Sequence, residues 1–157
     1  GTLDAPAIVA FATALEITTS RRTENVARVS ALRDDLVKRV MEIAPDAIHT
    51  GSKTNRLANN AHFIFPGCLG DSLLMLLDAQ GVECSVGSAC NAGVPQPSHV
   101  LLAMGADEDA ARSTLRFSLG STTTQGDIDK LIEVLPSAIE RAKRAGVPKI
   151  TTAPVRV

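Results

Sequence analysis

Two residues of this chain combine a reactive type with an informative setting, Cys90 and Arg116. Cys90 ends the run Val86, Gly87, Ser88, Ala89, Cys90, and the stretch on to Pro97 is dominated by Gly, Ser, Ala, Asn and Pro. That composition cannot fill a core and reads as a long loop. Cysteines usually pack in cores, so a thiol in such a loop has no packing reason to be there, while accessibility is what a reactive thiol needs. Composition alone leaves a reactive thiol and a neutral surface thiol both open. Arg116 lies in the run Leu115, Arg116, Phe117, Ser118, Leu119, Gly120. Strand periodicity puts Leu115, Phe117 and Leu119 on one face and Arg116 with Ser118 on the other. An arginine so placed commonly just faces solvent. Its functional counterpart is a planar fork at a sheet edge that takes a carboxylate through two parallel hydrogen bonds.

Other candidates are weaker. Cys68, beside Pro66 and Gly67, and Cys84, in an apolar strand, read as structural. A zinc site from Cys84, Cys90 and His99 matches no paired spacing and lacks a fourth ligand, so no metal site is expected. Gly51, Ser52, Lys53 and Thr54 look like the end of a phosphate-binding loop, but the earlier glycine is missing. His49, before a turn, and His62, in an apolar strand, read as satisfied structural histidines, and no Ser, His and Asp arrangement stands out.

The elements that must hold Cys90 and Arg116 follow from periodicity. Asp4 can cap a helix with Ile8, Phe11, Ala12 and Leu15 on one face and Pro6 in its first turn. A second helix, over about Glu24 to Ala44, aligns Val26, Val29, Leu32, Leu36, Val40 and Ile43 and stops at Pro45. Ala47 to Thr50 and Ala61 to Phe65 read as strands around a polar loop. A helix starting at Gly70 to Ser72 ends at Gly81, and Val82 to Ser85 reads as a further strand. Ser98 caps a short helix, Asp107 opens another, and Thr114 to Ser118 is a strand. Thr124 and Asp127 form a capping box for a last helix carrying Ile128, Leu131, Leu135 and Ile139, which Pro136 should kink. The expected fold is therefore α/β (α+β), a small mixed sheet packed with helices. Residues 5–44 supply long helices, 45–146 a small sheet domain and 147–157 an irregular tail.

Composition narrows the function classes. The 157 residues hold 16 Lys plus Arg against 17 Asp plus Glu, for a net charge of -1, with 45% apolar residues. Neither nucleic acid nor an anionic membrane is an expected partner, because both draw most of their affinity from clustered cations. Four Phe with no Tyr or Trp leave little for base stacking. No apolar run approaches the ~18 residues of a membrane span. No basic region followed by an apolar core opens the chain, and three cysteines form an odd set, so a cytoplasmic protein with reduced thiols is expected. The chain begins at Gly1 without Met and reads as a piece of something longer.

Three segments, Val86 to Cys90, then Pro97, Ser98, His99, Val100, Leu101, then Leu115 to Gly120, together resemble the cysteine desulfurases of the NifS and IscS type. These are class V aminotransferase-type enzymes of fold type I that use pyridoxal 5'-phosphate. The segments come in family order with family-like spacing, and Gly1 and Thr2 resemble the end of that family's Arg, Ser, Gly, Thr segment. The resemblance reaches to about Gly146 but covers only the C-terminal part of such an enzyme. It implies that Cys90 is the nucleophile that takes sulfur from cofactor-bound L-cysteine, leaving an enzyme persulfide and releasing L-alanine. By the same resemblance, Cys90 is a candidate transient iron-sulfur ligand. An unperturbed thiol of pKa ~8.5 is only a few per cent thiolate at neutral pH, so a proton acceptor or the substrate thiol must assist. Arg116 would bind the substrate carboxylate. Thr2 would help bind the cofactor phosphate across the interface of a homodimer.

The implied partners are L-cysteine, a sulfur acceptor or iron-sulfur scaffold protein, a second copy, and a missing N-terminal cofactor domain. The family's Schiff-base lysine lies upstream of Gly1, and none of Lys38, Lys53, Lys130, Lys143 or Lys149 follows the family's Ser and His, so the piece alone is expected to be inactive. Val86 stands where the family usually has Ser, and Asn91 where it has Thr. A selenocysteine lyase or an aminotransferase would share the fold, although an aminotransferase needs no Cys90. A non-catalytic domain that binds a sulfur acceptor is the reading from another class.

Overall fold

The computed structural model describes residues 1–87 and 97–146, which leaves Cys90 and the tail after Gly146 outside the described residues. Helix α1 spans Ala5–Ile43 without a break, where two helices are expected from the pattern. Residues 16–24 contain neither proline nor glycine. A run of moderate propensity between two helical flanks propagates the ladder rather than opening it. Asp4 caps the start by accepting the Ala7 N–H at 3.1 Å.

The C-terminal half of α1 is buried through Val29, Leu36 and Val40, as its apolar spacing requires, while Val26 is exposed. Arg33 departs from the pattern. It is buried, with Nε on Asp34 at 2.8 Å and Nη1 donating to the Leu57 carbonyl at 2.8 Å, so its charge and donors are matched. Residues 1–24 are exposed throughout, including Ile8, Phe11 and Leu15.

The elements that follow are β1 (Ile48–His49), β2 (Asn60–Ile64), α2 (Gly70–Asp78), α3 (His99–Ala103), α4 (Glu108–Arg112), β3 (Thr114–Ser118) and α5 (Gln125–Ala145). The sheet runs in the order β1-β2-β3 and is antiparallel throughout rather than mixed. A polar loop over residues 50–59 joins β1 to β2, and after α2, α3 and α4 the chain re-enters at Thr114 beside Ile64, the end at which β2 finished, so β3 runs back antiparallel to it. Val82 to Ser85 makes no full strand and contributes the single bridge from Ser85 to Arg116.

One face of the sheet carries Phe63, Leu115 and Phe117 into a core shared with α1, α2 and α5, which supply Leu36, Val40, Leu73, Leu77 and Leu135. Phe63 sits at the centre, with ring centroids 5.8 Å from Phe65 and 6.2 Å from Phe117. The capping box at the start of α5 is present, with Thr124 and Asp127 bonded reciprocally, and the helix continues through Pro136. Gly70 opens α2 because nothing larger fits. A Cβ there would come within 2.7 Å of the carbonyl oxygen of Thr114, the first residue of β3, two positions before Arg116.

Candidate functional site

The other face of the sheet carries the polar residues, and α3 comes up beside it through Val100 and Leu101. Asn60 and His62 of β2 stand opposite Ser118 and Arg116 of β3. Beside them lies an open cavity of about 410 Å³ whose lining includes Thr50, Arg56, His62, Gly87, Ser98 and Arg116. Thr114 also belongs to this face by alternation but is buried, because the chain at Val86 and Gly87 folds over it, and its hydroxyl donates to the Val86 carbonyl at 3.2 Å.

Arg116 is half-buried rather than solvated. Its backbone is paired with Ser85 in both directions, at 3.1 Å and 2.7 Å, so the segment leading toward Cys90 is stitched to the strand that carries the arginine. The guanidinium is much less satisfied than the backbone. Its Nε is buried with no partner among the described residues, and Nη2 reaches the Ser85 hydroxyl only at 3.5 Å. A cation with a buried unmatched donor, at the wall of an open cavity, favours an anionic ligand with two acceptor oxygens.

Gly87 has φ of 74° and closes this segment over β2. A side chain there would be strained by the backbone and would meet His62 Nε2 at 3.0 Å. The His62 Nδ1 lies 2.8 Å from the Thr50 hydroxyl, and burial, then Arg116 and Arg56, hold its pKa below the usual imidazole value. His62 is a satisfied histidine, as expected, yet it is also a wall of the cavity.

The cavity has a cationic character. Arg56 lies on its lining, donates to the His49 ring and to the Thr50 carbonyl, and has a buried Nε without partner. His49 is pushed down to about 4 by burial first, then by Arg56, Arg33 and Lys53.

The remaining candidates separate in space. Thr2 is exposed ahead of α1. From Ala5 to Val29, the first buried residue of that helix, the axis rises about 36 Å at ~1.5 Å per residue, so this chain does not fold Thr2 onto the sheet domain. Cys90 belongs to residues outside the description, three positions beyond Gly87. Cys68 is fully buried with its thiol toward the Ile139 carbonyl, and burial raises its pKa; burial raises that of Cys84 to about 11. Both are held as inert thiols, in line with a structural role. Among the described residues no cluster could hold a metal ion, and no helix is long and apolar enough to cross a membrane.

Pyridoxal phosphate finds no cradle among the described residues. No lysine lines the Arg116 cavity, and Thr2 stands at the far end of α1. What the cavity offers is a pair of guanidinium donors on its wall, which suit an anion.

Reasoning from sequence passes over Thr50 and Ser85 as parts of strands, and reads His62 only as a structural histidine and Gly87 only as part of the loop run. Alternation places His62 and Arg116 each on one face of its own strand, but their pairing depends on a register set by the long β2 to β3 connection.

The aminotransferase class-V family model matches residues 1–131. An IscS-like cysteine desulfurase of Mycobacterium tuberculosis is 53% identical over 148 residues, covering 94% of this chain and 38% of that protein. The cysteine desulfurase NifS of Azotobacter vinelandii is 36% identical over 143 residues, covering 91% of this chain and 36% of its own length. The X-ray structure of a NifS-like protein from Rickettsia africae superimposes with a TM-score of 0.77 at 27% identity, over 89% of this chain and 36% of that one. The chain thus spans well under half the length of the relatives it matches.

Proposed function

Because the chain belongs to the aminotransferase class-V family, we propose that it is the C-terminal part of a cysteine desulfurase that moves sulfur from L-cysteine onto Cys90 and releases L-alanine. The observation that carries this reading is the state of Arg116. Its backbone is locked to Ser85, its Nε has no partner among the described residues, and it faces a cavity beside the segment that leads to Cys90.

Two tasks fall to this chain. Arg116 takes the substrate carboxylate through its planar fork, and a hydrogen bond to such a charged group is worth about 1.5 to 3 kcal/mol. Cys90, as thiolate, accepts the substrate sulfur and then presents a persulfide to an acceptor or an iron-sulfur scaffold protein. Pyridoxal phosphate supplies the electron sink that makes the substrate carbon–sulfur bond labile. Its Schiff-base lysine and most of its cradle belong to a further portion of the polypeptide, in keeping with the 38% share of the relative's length that this chain covers. Thr2 reaches the cofactor phosphate across the interface of a homodimer. The protein works in the cytoplasm, where its thiols stay reduced.

The test is sulfide release from L-cysteine by the intact polypeptide supplied with pyridoxal phosphate and a thiol reductant. Turnover lost in Cys90→Ala supports the reading. Transamination without sulfide would instead make the protein an aminotransferase, and a preference for selenocysteine would make it a lyase of that substrate.

A further inference from the structure

His62 and Arg116 are register partners across β2 and β3. The His62 carbonyl accepts from the Thr50 backbone N–H at 3.0 Å, and the Arg116 N–H and carbonyl both bond Ser85. Neither residue directs its ladder groups at the other, so they form the non-hydrogen-bonded kind of antiparallel pair, in which side chains come closest. The imidazole is pinned on two further sides. Thr50 Oγ1 holds Nδ1 at 2.8 Å and also donates to the His62 carbonyl at 3.2 Å, while the Gly87 turn presses on Nε2 so closely that a Cβ would lie 3.0 Å away.

Among the described residues, Arg116 by contrast has almost nothing to fix its side chain. The one described hydrogen bond of its guanidinium is the 3.5 Å contact with Ser85, and Nε has none. An arginine loses much rotamer freedom when it is immobilised, and a fork must be aimed before it can take two oxygens at once. A rigid wall beside its stem supplies that aim without competing for the donors.

We propose that His62 is the positioning residue for Arg116, a ring pinned by Thr50 and Gly87 that directs the guanidinium into the cavity and so sets the affinity for the substrate carboxylate. The proposal rests on the reading above that Arg116 binds that carboxylate. The charged groups facing His62 are Arg116 of β3 and Arg56 of the β1 to β2 loop, both cationic, and with burial they keep the ring neutral. A neutral ring can lie beside a guanidinium without repelling it.

The experiment uses the intact holoenzyme and two probes that differ by the carboxylate alone, L-alanine and ethylamine, titrated by calorimetry. The ratio of their affinities isolates carboxylate binding from every other effect of a mutation. His62→Ala should lower the ratio about tenfold. Thr50→Val, which releases the ring, should lower it in the same direction, and Thr50→Ser, which keeps the hydroxyl, should restore it. A merely structural role would shift the melting temperature of these variants and leave the ratio alone. Should His62→Ala fail to fold, the Thr50 pair carries the test by itself. Arg116→Lys separates the two levels of the argument. A ratio that drops in Arg116→Lys but holds in His62→Ala and Thr50→Val overturns the positioning role only, whereas a ratio unmoved in Arg116→Lys overturns the carboxylate reading beneath it.

Discussion

Ser85 and Arg116 exchange both of their backbone hydrogen bonds, at 3.1 Å and 2.7 Å, although 31 positions separate them. This one bridge joins the segment that runs on to Cys90 to the strand that presents the guanidinium. The proposed sulfur acceptor and the proposed carboxylate anchor are therefore tethered to a common point on the sheet, as two groups acting on one small substrate require.

The first prediction concerns the fork. Arg116→Lys keeps the charge and loses the planar pair of donors, so the KM for L-cysteine should rise about ten- to a hundredfold, equivalent to about 1.5 to 3 kcal/mol. Steady-state kinetics on the intact polypeptide check it. An unchanged KM would return Arg116 to an ordinary partly solvated arginine.

Acid sensitivity follows from His49. Its folded pKa of about 4 lies below the ordinary imidazole value of 6.5, so the unfolded chain binds the proton first as pH drops. Stability should be complete above about pH 6.5 and decline toward pH 4. His62, also held low, adds to the same slope. Asp46, Asp127 and Asp129 have pKa values below the usual 3.8, so their contributions are lost only at still lower pH. Melting temperatures measured across this range should fall less steeply in His49→Gln than in the parent, and parallel slopes would rule the histidine out.

Much of this arrangement is legible in the residues themselves. The alternation in Leu115 to Leu119 separates the buried face of β3 from the face of Arg116, and Thr124 with Asp127 marks the start of α5, because both patterns depend on local geometry alone. The length of α1 is not legible. Its first half lacks any described packing, so the periodic stripe of Ile8, Phe11 and Leu15 says that a partner is needed without saying that the helix continues through residues 16–24. The roles of His62, Thr50 and Gly87 are hidden for another reason. Each depends on a contact between segments far apart in sequence, and only the observed register brings them together.

That exposed stripe carries its own consequence. Ile8 is 55% exposed, Phe11 72% and Leu15 56%, on a helix without a described neighbour along its first half. Residues 1–157 purified alone should self-associate in a concentration-dependent way, and Phe11→Glu with Leu15→Glu should make them monomeric by sedimentation. A parent that stays monomeric would show that this face needs no cover.

Residues 1–157 should also release no sulfide from L-cysteine in the presence of pyridoxal phosphate, since no lysine among the described residues lines the Arg116 cavity. Sustained turnover by that piece would mean that one of its own lysines serves the cofactor.

Cys90 is the proposed recipient of the sulfur. The direct measurement is peptide mass spectrometry of the intact polypeptide after a brief exposure to L-cysteine and trapping of its thiols by alkylation. One additional sulfur atom is expected on the peptide containing Cys90 and none on those containing Cys68 or Cys84, whose thiols burial keeps protonated. An unmodified Cys90 peptide during active sulfide release, or turnover undiminished in Cys90→Ala, would contradict it.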